Sequence, residues 1–188
     1  MKNKRKKPGK NIILGICAGI SSYKSAVLAR SLIKSGFSVK VVMTEAAVKF
    51  VTPLVFQTLT KNYVYTEMFS SYEEGEFLKH VSLADWADLC VIAPLSANTL
   101  SKIACGICDN LLTTLICALP RETKVLCVPA MNKYMWKSSI IRKNAAILKK
   151  VGNFTFIDPE IGELASGDYG EGRMAEPKDI LKRIKALL

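Results

Sequence analysis

Residues 125–136 read VLCVPAMNKYMW. The stretch begins as a short, wholly apolar run, the pattern of a strand buried on both faces of a parallel sheet. Pro129 cannot donate to a sheet ladder, so the strand stops there and delivers the lone amide of Asn132 just beyond its end. In open α/β sheets, ligands bind outside the carboxyl ends of the strands, which is where this spacing puts Asn132. The same residue also suits the cap of a helix starting at Lys133. Pattern alone leaves both roles open.

Working outward, the strand pattern recurs. NIILGIC (11–17), SVKVVM (38–43), LCVIA (89–93) and residues 154–157 are short apolar runs separated by helical periodicity. That alternation predicts a doubly wound α/β domain, Rossmann-like or flavodoxin-like, with at least five parallel strands. Each of the first strands runs into a turn of small or hydroxylated residues. After 11–17 comes AGISS, where Gly19 permits close backbone approach. There Ser21 and Ser22 suit the cap of a helix with Ala26, Val27, Leu28 and Leu32 at helical spacing, ended by Gly36. Thr44 suits the cap of a helix over TEAAVKF, and a short helix opens near Pro53. After the strand at 89–93, Ser96, Ala97, Asn98 and Thr99 begin another helix. A strand, a small-residue turn and a helix N-terminus together make an anion cradle, because free N–H groups and the helix dipole favour negative charge. None of these turns is a GxGxxG, and a plain βα connection would look the same.

The remaining segments are more ambiguous. Residues 61–79 are polar and aromatic, include SYEEGE, and are expected to form a mobile loop. His80, the only histidine, opens an amphipathic turn, HVSLADWAD. A solitary histidine is commonly incidental, yet an imidazole titrating near neutrality suits a base. Residues 110–119 are apolar nearly all round, as in a core or subunit interface. Ser138 and Gly152 bracket an amphipathic helix. GELASGDYGEGRMAEP (162–177) carries glycines at 162, 167, 170 and 172 and reads as a mobile loop before a last helix over 178–188.

Composition narrows the functional classes. The chain has 188 residues and is 49% hydrophobic, enough for one well-cored domain over 11–188. No apolar run approaches the ~20 residues of a membrane helix, and no apolar segment follows the N-terminal charges. A cytoplasmic protein without a membrane partner is expected. The six cysteines mostly sit in apolar runs, as reduced core cysteines do. Cys105 and Cys108 form a CxxC within a helical pattern but lack a second ligand pair, so no metal is expected. The formal charge is +11, but six of the 27 basic residues fall in MKNKRKKPGK, expected to be a solvated, disordered tail. The rest are dispersed and carry no nucleic-acid motif, so nucleic acid is not expected. Positive charge also suits a phosphorylated, acidic ligand.

Several separated segments carry a family resemblance. Pro129, Met131, Asn132, Met135 and Trp136 match a Pro-x-Met-Asn-x-x-Met-Trp signature. Leu83, Trp86, Ala87 and Asp88 follow His80 in a Leu-x-x-Trp-Ala-Asp pattern. Residues 96–99, with Lys102, Gly106 and 109–112, are similar to a flavin-binding helix, and YGEGRMAEP is similar to a substrate clamp. Over about residues 11 to 177 the chain resembles the phosphopantothenoylcysteine decarboxylases, which are flavin-dependent cysteine decarboxylases.

The resemblance implies FMN held by Gly19, Ile20, Ser21, Thr44, Ser96, Ala97, Asn98, Thr99 and Ala130. It implies His80 as the base, and Asn132 and Met135 on the cysteinyl end of 4′-phosphopantothenoylcysteine. Ser166, beside Gly167, stands where the family presents a cysteine as proton donor. A homotrimer, or a multiple of trimers, is implied, with flavin sites between subunits and residues 110–119 at an interface. The implied chemistry oxidises the substrate thiol to a thioaldehyde, releases carbon dioxide to leave an enethiolate, then returns the hydride and a proton. A hydroxyl is a far weaker acid than a thiol of pKa about 8.5, so direct donation by Ser166 is not expected. Three other readings stand beside this one. A peptidyl-cysteine decarboxylase stops at the enethiol and suits Ser166. A flavin prenyltransferase shares the fold but not PAMNKYMW. A non-enzymatic flavoprotein binding subunit typically carries long acidic extensions, which this chain lacks.

Overall fold

Buried apolar strands need helices on both faces, and this chain supplies them. A computed structural model describes residues 11–69 and 79–188; the basic run 1–10 and the SYEEGE segment lie outside the described residues. The main sheet contains β1 (Asn11–Ile16), β2 (Ser38–Met43), β3 (Val64–Tyr65), β4 (Leu89–Leu95), β5 (Lys124–Pro129) and β6 (Phe154–Phe156). All pairings are parallel and the order is β3-β2-β1-β4-β5-β6. This is the doubly wound α/β fold, whose strand order reverses between β1 and β4 and opens a crevice at their carboxyl ends.

Side chains alternate across the sheet with the two-residue period of a strand. Ile12, Leu14 and Ile16 pack on one side with Leu28, Leu32, Phe56 and Ile180, under α1 (Ser22–Lys34), α2 (Pro53–Thr60) and α8 (Pro177–Leu187). Ile13 packs on the other side with Leu83, Leu100, Leu112 and Leu148. Those residues come from α3 (Lys79–Trp86), α4 (Ala97–Ala104), α5 (Leu111–Ala118) and α7 (Ser139–Val151). Each fully buried Leu or Ile contributes about 1.5–3 kcal/mol, so both layers are needed.

Several local expectations are corrected. Ser21 is the N-cap residue of α1 but its side chain makes no capping bond. Ser22 instead donates its hydroxyl to the carbonyls of Cys17 (2.9 Å) and Gly19 (2.7 Å). Val27 is exposed, while Lys24 and Ser25 are buried. TEAAVKF forms only a 3-10 turn, Ala47–Lys49, with Thr44 Oγ1 accepting from Ala47 N–H at 3.3 Å. Val64–Tyr65 is an edge strand inside the presumed loop, too short to show a period.

Other corrections lie further along the chain. Cys105 and Cys108 sit beyond the end of α4, exposed and unpaired with a disulfide, rather than on a helix. Leu111, Leu112, Leu115 and Ile116 of α5 are buried within the chain itself, against α3 and the sheet. Core packing therefore accounts for the apolar character of these four residues, while Cys117 on the same helix is exposed. The glycine-rich segment is not a loop. It contains an antiparallel hairpin of β7 (Glu160–Glu163) and β8 (Tyr169–Arg173). No helix among the described residues is long and apolar enough to cross a membrane.

Candidate active site

The crevice at the β1/β4 switch point collects three turns. The β1–α1 turn carries Gly19, Ile20 and Ser21; the β4–α4 turn carries Ser96; the segment after β5 carries Ala130, Met131 and Asn132. They are tied together through the main chain, Cys17 N–H donating to Pro94 O (3.2 Å) and Ala130 N–H to Leu95 O (3.1 Å). Two adjoining cavities result, of about 600 and 530 Å³. Gly19, Ala130 and Met131 form the wall common to both.

The larger cavity is lined by Thr44, Ser96, Ala97, Asn98 and Met135. Ser96 Oγ accepts from Thr99 N–H at 3.2 Å, closing one free amide of α4 and leaving those of Ala97 and Asn98 without a helical partner. Thr99 is itself buried, its Oγ1 3.2 Å from Ser96 Oγ, so its side chain braces the turn rather than lining the cavity. Lys102 and Asp109 also line this cavity and pair at 2.5 Å; that hydrogen bond holds the Asp109 carboxyl below its ordinary range. Beneath the turn, burial pushes the Cys17 thiol up.

The smaller cavity lies between Ile20 and Ser21 on one side and the β7–β8 hairpin on the other. Asn132, Ser166 and Arg173 line it. Asn132 does cap α6 (Lys133–Lys137): its Oδ1 accepts from Tyr134 N–H at 2.8 Å. No hydrogen bond among the described residues takes up its Nδ2, so one half of the amide caps and the other half is free for a ligand. Trp136 is buried and donates Nε1–H to Glu171 Oε1 at 2.9 Å, with the Arg142 guanidinium 4.8 Å from its ring centre. This tryptophan anchors the hairpin.

Two expected site residues are not brought in. His80 sits on α3, and neither it nor Gly167 lines either of these two cavities. One unforeseen residue is Lys24, which lines the smaller cavity although it belongs to a helix whose periodicity would expose it. Its Nζ donates to Met174 O (3.3 Å) and to Glu176 Oε1 (2.6 Å), which draws the Glu176 carboxyl below its ordinary range. Only the partner at the far end of the chain explains its burial, and local pattern carries no signal of that.

The family model described as Flavoprotein matches residues 1–188. The chain belongs to the flavoprotein family. A probable phosphopantothenoylcysteine decarboxylase of Streptococcus mutans is 40% identical over 179 residues, covering 95% of this flavoprotein and 99% of the relative. A coenzyme A biosynthesis bifunctional protein, CoaBC, of Bacillus subtilis is 40% identical over 173 residues. That match covers 92% of this chain but only 42% of the longer relative. Among solved structures, a cysteine-to-serine mutant of a PPC decarboxylase complexed with pantothenoylaminoethenethiol superposes with a TM-score of 0.85. It shares 35% identity and is matched over 94% of this chain and 97% of its own.

The larger cavity fits the flavin that the family name implies. A Cβ added at Gly19 would meet nothing within 4 Å, so the turn faces open space where a bulky anion can approach the backbone. Ser21, whose hydroxyl is not spent on a cap, lines the adjoining smaller cavity. Ala97, Ala130, Met131 and Met135 give the larger cavity apolar lining of the kind an aromatic ring system packs against.

Proposed function

We propose that this flavoprotein is an FMN-dependent phosphopantothenoylcysteine decarboxylase, a carboxy-lyase of coenzyme A biosynthesis working in the cytoplasm. The observation that carries the reading is the junction of the two cavities at Met131. A flavin-sized space opens on one side, and Asn132 and Ser166 face a substrate-sized space on the other. FMN in the larger cavity would supply the two-electron acceptor, and later donor, for the substrate thiol carbon.

The chain's own groups have separable roles. Gly19, Thr44, Ser96, Ala97, Asn98 and Ala130 hold the cofactor from the walls of the larger cavity, Ile20 and Ser21 approach it from the adjoining smaller one, and Thr99 is a brace. Asn132 turns its free Nδ2 to the cysteinyl carboxylate, and Met135 packs against the same end. The hairpin covers the smaller cavity and excludes water. His80 serves as the base from a neighbouring copy in a homotrimer, because it lies outside both cavities of its own chain. Arg173 and the adjacent Lys24 supply positive charge for the anionic substrate.

One observation favours a second product. The Ser166 hydroxyl lies 3.2 Å from Asp168 Oδ2, so its proton is directed at a carboxylate and away from the cavity. A peptidyl-cysteine decarboxylase, which ends at the enethiol, is the corresponding second reading. The test is incubation of the FMN-loaded protein with 4′-phosphopantothenoylcysteine, products read by mass. Loss of carbon dioxide establishes the decarboxylase. Loss of carbon dioxide and two hydrogens identifies an enzyme that releases the enethiol. No turnover with flavin bound removes the phosphopantothenoyl reading and leaves the peptide one.

A further inference from the structure

Position 133 is one of the open places in the Pro-x-Met-Asn-x-x-Met-Trp pattern, and this chain fills it with a lysine that does not simply point into solvent. The Lys133 side chain is 19% exposed. Its stem crosses the hairpin at Gly170, where an added Cβ would stand 2.9 Å from Lys133 Cδ and 3.2 Å from its Cβ. Its Nζ lies 3.0 Å from Asp168 Oδ1 and 5.0 Å from the centre of the Tyr134 ring. The other oxygen of the same carboxylate, Oδ2, accepts from Ser166 Oγ.

The tip of the hairpin is a tight turn. Gly167 N–H donates to Leu164 O (2.9 Å), Leu164 N–H donates to Asp168 O (2.7 Å), and Gly167 holds φ at +80°. Those bonds set the turn's shape but not its angle to the body of the protein. Among the described residues, Lys133 is a cation on the body side that reaches it.

We propose that Lys133 is a positioning residue: acting through Asp168, it seats the Leu164–Asp168 turn over the smaller cavity and aims Ser166. The lysine follows Asn132 directly, so the group that holds the substrate carboxylate and the group that holds the clamp move together on one short helix. Asp168 is shared between Lys133 and Ser166, which leaves the serine's lone pairs, rather than its proton, facing the cavity. The kinetic part of this inference rests on the decarboxylase reading; the structural part does not.

The test uses the full-length, FMN-loaded protein as wild type, Lys133→Met, Asp168→Asn, the double variant and Lys133→Arg. Amide hydrogen exchange over residues 164–169 is followed without substrate, and KM and kcat with 4′-phosphopantothenoylcysteine. Each single variant is expected to exchange roughly two- to fivefold faster, the scale of a partly exposed ion pair. The double variant is expected to add nothing, since both changes remove one interaction. Lys133→Arg is expected to restore most of the protection, and KM is expected to rise while kcat changes less. Unchanged exchange in Lys133→Met, or additive effects in the double variant, overturns the proposal. Should Lys133→Met fail to fold, Asp168→Asn and Lys133→Arg decide the same point. A wild type that turns nothing over counts against the proposed function, and the exchange data still decide the role of Lys133.

Discussion

Met131 and Gly172 pair through their main chains: Met131 N–H donates to Gly172 O at 3.0 Å, and a Cβ at Gly172 would stand 2.2 Å from Met131 O. The backbone after β5 and strand β8 are therefore in contact at a point where only glycine fits. Through that contact the wall shared by both cavities also carries the hairpin that covers one of them.

Gly172→Ala is expected to lift the hairpin while leaving the sheet intact. The clash involves backbone, which cannot rotate away, and overpacking of this kind costs about 1–3 kcal/mol. Flavin content should stay near wild type, because the larger cavity is built from the β/α turns. Limited proteolysis should cut within 160–173 much faster, and KM for the substrate should rise. An alanine variant with wild-type proteolysis would mean that the hairpin contact has no positioning role.

Much of this architecture was legible locally. Strands buried on both faces announce themselves as unbroken apolar runs, and Gly36 and Gly152 end α1 and α7 with φ of +85° and +96°, as expected. The failures have a common physical origin in partners distant in sequence. The glycines at 162, 170 and 172 look like flexibility, yet 170 and 172 are the places where the hairpin lies against Lys133 and Met131. Lys24 looks like a surface lysine until Met174 and Glu176 arrive from 150 residues away. Asn132 was ambiguous for a better reason, because it does serve as a cap and still faces the cavity.

Ser166→Cys is expected to change the product rather than the binding. With serine, the hydroxyl proton points at a carboxylate that Lys133 and Ser166 itself hold below the ordinary range, so it is poorly placed and weakly acidic. A thiol near pKa 8.5, by the usual scale, is a far better proton source at about pH 7. The reduced, decarboxylated product should therefore form faster relative to the enethiol, with KM little changed. Mass analysis of the products over time checks this, and an unaltered ratio would show that the proton reaches carbon by another route.

Acid titration should expose the Lys24–Glu176 pair. The hydrogen bond from Lys24 holds the Glu176 carboxyl below 4.5, against a smaller opposing effect of burial. A depressed folded-state pKa stabilises the fold above the ordinary value, and that contribution disappears as pH falls through the lowered one. Lys24→Met keeps the buried stem but removes the charge, so Glu176 should titrate nearer 4.5 and the acid-unfolding midpoint should move to higher pH. Circular dichroism across pH 2–6 (about the carboxylate range) measures the midpoint. A midpoint that stays in place would mean Arg173, 3.4 Å away, suffices alone.

The two halves of the Asn132 amide can be separated by substitution. Its Oδ1 caps α6 through Tyr134 N–H, and its Nδ2 is the half left for a ligand. Asn132→Asp keeps an oxygen for the cap and favours the helix N-terminus electrostatically, so stability should hold or rise slightly. It replaces the donor with a negative charge facing the smaller cavity, where a substrate carboxylate would be repelled. Turnover should therefore fall by at least about a hundredfold, the scale of about 2.7 kcal/mol of lost binding. Asn132→Ala loses both functions: the missing cap should cost about 1 kcal/mol in denaturant unfolding, and turnover should fall as well. The decisive comparison is Asp against Ala. If Asp retained wild-type turnover, Asn132 would be a cap alone, and the substrate carboxylate would be held by another group.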